Sequence, residues 1–196
     1  MSNWQYANST PQKVWRSAMT LPRELKLNYD GNQYYLSQAI IENFISITES
    51  VSKYNSVNLP FEFQNDFSQK EIKFDNTNTE LTIELSNSKR EKFLIELNDT
   101  SLITDRRISG KINFNENFAN TYQSMPLYDS IYNFQIILDR ASIEILLNDG
   151  KYSMTNIFFP NEKYSVMKII SKCDSKIGIL EINKIKRVWP NLKMDE

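Results

Sequence analysis

Between Asp139 and Pro160 the sequence reads "DRASIEILLNDGKYSMTNIFFP", and the four residues Asn148-Asp149-Gly150-Lys151 at its centre allow very few folds. Asp149-Gly150 accepts the positive φ angles of a two-residue type I′ turn, whose twist matches that of the flanking strands and fixes their register. Pairing Asn148 with Lys151 sets Leu147 opposite Tyr152 and Ile145 opposite Met154, all on one face. The preceding "YNFQIILDR" places Phe134, Ile136 and Leu138 on one alternating face, with "DRAS" as the turn, so three strands form a meander. Period two with one apolar face predicts antiparallel strands over a core.

The same period recurs elsewhere. In "ELTIELS" Leu81, Ile83 and Leu85 alternate with Glu80, Thr82 and Glu84; in "KFLIELN" Phe93, Ile95 and Leu97 alternate with Lys92, Leu94 and Glu96. Further strands are predicted at Phe61 to Phe63, Glu71 to Phe74, Ser109 to Phe114, Tyr164 to Ser171 and Lys176 to Ile185. Only 4 glycines and 6 prolines stand against 10 tyrosines and 11 phenylalanines, which is strand composition. Roughly ten short strands in one chain predict an all-β fold, a two-sheet antiparallel β-sandwich. The one helical candidate is brief: Ser37 is placed to cap "QAIIENFI", where Ile40, Ile41 and Phe44 share a face at helical spacing. Residues 1–36 differ in character, holding Trp4, Trp15 and the proline-bounded "TPQKVWRSAMTLPRELKL".

The chemistry open to this chain is narrow. It contains no histidine and a single cysteine, Cys173, so histidine-dependent triads and most zinc sites are excluded within it, as is an intrachain disulfide. Cys173 reads as a packing residue. Lysine plus arginine number 23 and aspartate plus glutamate 24, a formal net charge of -1 that gives no bulk reason to expect nucleic acid or an acidic membrane. No apolar run reaches the ~20 residues of a membrane helix, and the first residues lack a signal-peptide pattern, so the fragment reads as soluble.

Paired carboxylates are the remaining catalytic kit, as in glycoside hydrolysis. Many acids are present, but none forms a convincing pair. Glu80, Glu84 and Glu96 fall on predicted solvent faces. Asp139 reads as a turn carboxylate beside Arg140, and Glu144 as a surface residue. Asp105-Arg106-Arg107 reads as solvated edge protection. "FDNTNTE" offers Asp75, Asn76, Asn78 and Glu80 to calcium but lacks the turn glycine of a cation loop. No cofactor and no metal site is implied.

Three stretches resemble the C-terminal end of glycoside hydrolase family 32, the β-fructosidases that include invertases, levanases and inulinases. "MSNWQYA" with "WRSAMTLPREL" is similar to the last strands of that family's five-bladed β-propeller. "TDRRISG", Thr104 to Gly110, is similar to an intermediate motif. "LDRASIEILLNDGKYSMTNIFFP" resembles the "D-R-S-S-V-E-V-F-x-N-D-G" hairpin of the C-terminal β-sandwich. The resemblance implies three parts: residues 1–36 as a last-blade fragment of the propeller, 37–45 as a linker with helical character, and 46–196 as the sandwich.

It also shows what is missing. The family's Asn-Asp-Pro-Asn-type, Arg-Asp-Pro and Glu-Cys motifs, which carry the nucleophile and the acid/base, do not occur here; Cys173 follows Lys172. The expected function is a non-catalytic module of a fructan- or sucrose-hydrolysing parent, stabilising the propeller and shaping the cleft or assembly. The alternative is a fructan-binding module, which needs exposed aromatic rings. The partners implied are the propeller, fructan or sucrose through the parent, and a second copy in self-association. The parent is expected to be bacterial, and secreted, periplasmic or cytoplasmic. Family resemblance places Trp4, with Asn3, toward the substrate pocket of the parent; packing between blades is the other reading of Trp4. Trp15 and Trp189 read as packing residues where blade, linker and sandwich meet.

Overall fold

The computed structural model of the chain describes residues 4–12, 18–75, 80–172 and 175–188. A short hairpin comes first, β1 (Arg23–Tyr29) and β2 (Tyr34–Ile40), forming a two-stranded sheet of its own. The other twelve strands form two six-stranded sheets, between which the chain passes back and forth. β3 (Thr48–Asn58), β5 (Lys70–Asp75), β10 (Asn133–Leu138), β11 (Ser142–Leu147), β12 (Tyr152–Ile157) and β14 (Lys176–Ile185) build one sheet, in the order β12-β11-β10-β5-β14-β3. β4 (Phe61–Gln64), β6 (Leu81–Ser86), β7 (Lys92–Leu97), β8 (Ser101–Ile108), β9 (Gln123–Pro126) and β13 (Val166–Ile170) build the other, in the order β4-β13-β6-β7-β8-β9. Every pairing is antiparallel.

The inward faces are those the alternation predicts. Leu81, Ile83 and Leu85 of β6 and Phe93, Ile95 and Leu97 of β7 meet Phe134, Ile136 and Leu138 of β10 in one buried core, with Phe74 stacked on Phe134. A smaller cluster of Tyr6, Phe118, Ile157 and Phe159 lies beside it. The register of the β11–β12 hairpin is the expected one, Leu147 with Tyr152 and Ile145 with Met154. The left-handed stretch is longer than a two-residue turn, since Asn148, Asp149 and Gly150 all have positive φ, at 49°, 54° and 85°. The Asn148 side chain makes this tolerable: its Oδ1 accepts from Tyr132 N at 3.0 Å and its Nδ2 donates to Ser130 O at 2.9 Å.

Two expectations need correction. The strand predicted over Ser109 to Phe114 ends at Ile108 instead, because Gly110 turns with φ 128° against the Phe159 backbone and Lys111 N donates to Phe159 O at 2.8 Å. The helix predicted from Ser37 is displaced. Residues through Ile40 pair with β1, Ser37 opposite Lys26, so long-range ladder bonds outweigh the local helical period; a 3₁₀ helix occupies Glu42–Ile47 and buries Phe44. Among the described residues, no helix is long and apolar enough to cross a membrane.

Gly150 also touches the N-terminal hairpin: a Cβ there would lie 2.6 Å from Gln38 O. Gly150→Val is therefore expected to cost about 1–3 kcal/mol in urea denaturation, the usual range for strain at a special backbone position. Gly31→Ala, also at positive φ but with open space around it, should cost less than Gly150→Val.

Candidate functional site

The site that the structure builds is a junction, where the segment before residue 48 is fastened to the outside of the sandwich. Glu144 alternates outward in β11, yet it is only 3% exposed. Its Oε2 accepts from Arg23 Nη2 at 2.6 Å and its Oε1 accepts from Leu21 N at 2.8 Å. Arg23 Nη1 donates onward to Gln38 Oε1 at 2.7 Å and Ser153 Oγ at 3.0 Å, so one guanidinium joins β1, β2, β11 and β12. A buried ion pair is tolerated when further hydrogen bonds satisfy both ions; here both carboxylate oxygens and both Nη groups are engaged, and the buried Arg23 Nε is left without a partner. The reading of Glu144 as a surface residue is thus overturned: the groups that cover it lie some 120 positions earlier in the chain.

Two further ties hold the same segment. Gln38 N donates to Gly150 O at 3.0 Å, laying β2 across the tip of the β11–β12 hairpin. Lys151 then bridges the two tips, 2.8 Å from Asp129 and 3.9 Å from Asp30, with its ammonium 4.3 Å from the centre of the Tyr35 ring. The hydrogen bond from Lys151 holds the Asp129 carboxyl below its ordinary range, and Asp129 in turn raises Lys151. Asp30 is lowered chiefly by the backbone N–H groups of Gln33 and Asn32, which cap the hairpin turn.

Further along, Arg106 corrects another expectation. It continues the inward alternation of Leu102 and Thr104 and is only 4% exposed, and the bulge beside it leaves both Arg107 and Ile108 exposed. Its guanidinium lies 4.1 Å from the centre of the Phe118 ring and donates to Phe118 O at 2.9 Å, Ile157 O at 3.1 Å and Tyr6 Oη at 3.3 Å. Only Asp105 and Arg107 form the solvated pair expected of the whole cluster, Nη2 to Oδ2 at 2.6 Å. Arg106 thereby fixes Tyr6 on the sandwich, two residues after Trp4.

Trp4 itself is 85% exposed. Asn3, Trp15, Trp189, Cys173, Asn76 and Asn78 lie outside the described residues. The outer face of the β1–β2 hairpin is the other exposed feature: Leu27 opposes Leu36 and Tyr29 opposes Tyr34, with Leu25 beside them, and all five are exposed. Tyr29 and Tyr34 contact each other, ring centres 4.9 Å apart.

The acids weighed for catalysis are engaged structurally. Asp139 Oδ1 accepts from Arg140 N at 2.7 Å, as a turn carboxylate does; Glu84 pairs with Lys92 at 2.8 Å and Glu80 with Lys172 at 2.8 Å. Among the described residues, no three histidine, cysteine, aspartate or glutamate side chains stand close enough to hold a metal ion.

A family profile described as the C-terminal region of glycosyl hydrolases family 32 matches residues 34–185. The chain belongs to this family. It is 26% identical over 204 residues to a levanase of Bacillus subtilis, covering 96% of this chain and 30% of the levanase. It is 31% identical over 214 residues to an invertase of Debaryomyces hansenii, covering 91% of this chain and 40% of the invertase. Among solved structures, an exo-inulinase from Aspergillus awamori shares the fold, with a TM-score of 0.81 at 24% identity over 96% of this chain and 40% of the inulinase chain. The chain thus spans 30% to 40% of the length of these family 32 relatives. The matched range begins inside the hairpin, taking in β2 but not β1.

The junction gives one test. Arg23→Met leaves Glu144 buried and unpaired, which is expected to cost about 3–5 kcal/mol where the pair stays covered. The chain can escape that cost by releasing the hairpin. Hydrogen exchange should then rise sharply over residues 23–40 while β6 and β7 keep their protection.

Proposed function

We propose that this chain is the non-catalytic C-terminal end of a fructan- or sucrose-hydrolysing enzyme of family 32, in which residues 46–196 form the sandwich, 37–45 the linker, and 1–36 the edge of a β-propeller carried by the rest of the parent. The observation that carries the proposal is the exposed stripe of Leu25, Leu27, Tyr29, Tyr34 and Leu36. A two-stranded hairpin is marginal alone, and an apolar row on it invites cover from further strands. Propeller strands added beside β1 would bury that row and pair its open edge.

The sandwich then acts as a clamp. Arg23 on Glu144, Gln38 on Gly150 and Tyr6 on Arg106 hold the blade strands in one orientation. A tilt of the last blade would move whatever it presents to the cleft. Trp4, with Asn3, is proposed to reach toward the sugar held by the propeller; its exposure beside the fixed Tyr6 supports that role. Hydrolysis belongs to carboxylates of the propeller, since the chain carries none of the family's catalytic motifs.

Burial of the stripe distinguishes this reading from a free-standing module. In the chain alone, Leu27→Ala should change stability by no more than ~0.5 kcal/mol, as for other exposed positions. In the parent enzyme the same change should cost about 2–5 kcal/mol in thermal or urea unfolding, the range for a buried leucine. Equal, small effects in both would remove the propeller-docking assignment. The chain alone, incubated with sucrose, levan or inulin, should release no fructose.

A further inference from the structure

The outer face of the sheet built on β5, β10, β11 and β14 has a built pocket that the junction does not use. Cross-strand pairing lays its residues in rows. One row, Glu144, Ile137, Glu71 and Asn183, is buried at its first three positions and partly exposed at Asn183. In the next row Leu146 is buried while Gln135, Lys73 and Glu181 are partly open, and beyond it lie Asp149, Asn133, Asp75 and Ile179. Together these last two rows enclose about 280 Å³, near the small end of ligand pockets, which begin at about 300 Å³.

The polar groups there are held in place before any ligand arrives. Glu71, only 1% exposed beneath them, accepts from Lys73 Nζ at 2.9 Å and from Gln135 Nε2 at 2.7 Å, while Asn183 Nδ2 donates to its other oxygen at 2.9 Å. Asn133 Nδ2 donates to Asp149 Oδ1 at 2.8 Å, and the hydroxyl of the half-exposed Tyr132 donates to Asp149 Oδ2 at 3.1 Å. Lys53 holds Glu181 at 2.6 Å. Ile179, 39% exposed, supplies apolar surface between these groups, with the buried Leu146 at the base.

The chemistry selects the ligand. Lys73 is already neutralised by Glu71, and Asp75 and Asp149 leave the pocket acidic, which disfavours phosphate or carboxylate ligands. Among the described residues no three carboxylates gather closely enough to hold a metal ion. Carboxylate acceptors, amide and ammonium donors and an aliphatic surface are instead what a neutral polyhydroxylated ring requires, its hydroxyls donating and accepting and its C–H face resting on Ile179. We infer that this pocket binds one sugar unit, at a place distinct from the blade-docking stripe. That the sugar is a fructose residue of the parent's substrate rests on the function proposed above; the pocket itself does not. A fructan held there would raise the local concentration of chain ends at the active site of the parent.

The test is titration of the full chain with fructose and with levan- and inulin-derived oligosaccharides, followed by calorimetry and by amide chemical shifts. Dissociation constants of ~1 mM or tighter are expected, with the largest shifts at Lys73, Gln135 and Glu181. Ile179→Trp, which fills the pocket from its rim, should weaken binding at least tenfold, and Asp75→Asn, which keeps side-chain shape, at least threefold. Tyr128→Ala, outside the pocket, should leave it unchanged. No shifts in these residues at about 10 mM of any sugar, or saturable binding of inorganic phosphate or calcium at the same residues, would overturn the pocket as a sugar site. Equal affinity for maltose-type and fructose-type oligosaccharides would instead overturn the fructan assignment, while the role of the hairpin would still be decided by the unfolding of the parent.

Discussion

The ion pair between Arg23 and Glu144 is the constraint on which the placement of the β1–β2 hairpin depends. A carboxylate in the middle of a sheet face normally stays in water, and covering it without a partner costs several kcal/mol. Here the cover and the partner come from the same short segment, Leu21 through Arg23, so the hairpin can sit on the sandwich only in the orientation that satisfies Glu144. Gln38 on Gly150 and Lys151 against Tyr35 then follow from that placement, because they lie further along the two strands that Arg23 has positioned. The polar anchor gives orientation where an apolar contact alone would allow sliding.

The two surfaces of interest share no residues and differ in kind. The hairpin stripe is apolar, raised on a two-stranded sheet and suited to cover by more strands. The sheet pocket is polar, concave and held by a buried carboxylate beneath it. Glu71 and Glu144 lie in the same row of the same face, one preparing the pocket and the other fastening the hairpin. A single row of one sheet therefore separates the part of the face that the chain covers from the part that it leaves to solvent.

Most of the sandwich was legible because period-two alternation reports directly which face is buried: Leu81, Ile83 and Leu85, Phe93, Ile95 and Leu97, and the Ile145–Met154 register all depend on neighbours a few residues away or on one turn. What escaped was set at long range. Glu144 and Arg106 read as surface charges because nothing near them in sequence says that Arg23 or Tyr6 will arrive. Ser37 read as a helix cap because its true partner, Lys26, lies across a turn that competes with the local pattern. Ile108 ends its strand because Gly110 meets the backbone of Phe159, a contact between segments fifty residues apart. The outer-face pocket shows no sequence signature at all, since its rows combine four strands whose order in the sheet differs from their order in the chain.

That sheet order also governs how the protein can be made. β14 lies between β3 and β5, so β3 is joined to its sheet only through a strand that leaves the ribosome more than a hundred residues later. Until Lys176–Ile185 emerges, β3 has no neighbour and the inner faces of β5 and β10 lack part of their lateral support. Non-local pairing of this kind slows folding and leaves sticky strands exposed in the interim. A chain cut short before β14 would therefore lose two strands from its sheet at once, β14 itself and the β3 that it alone connects to β5.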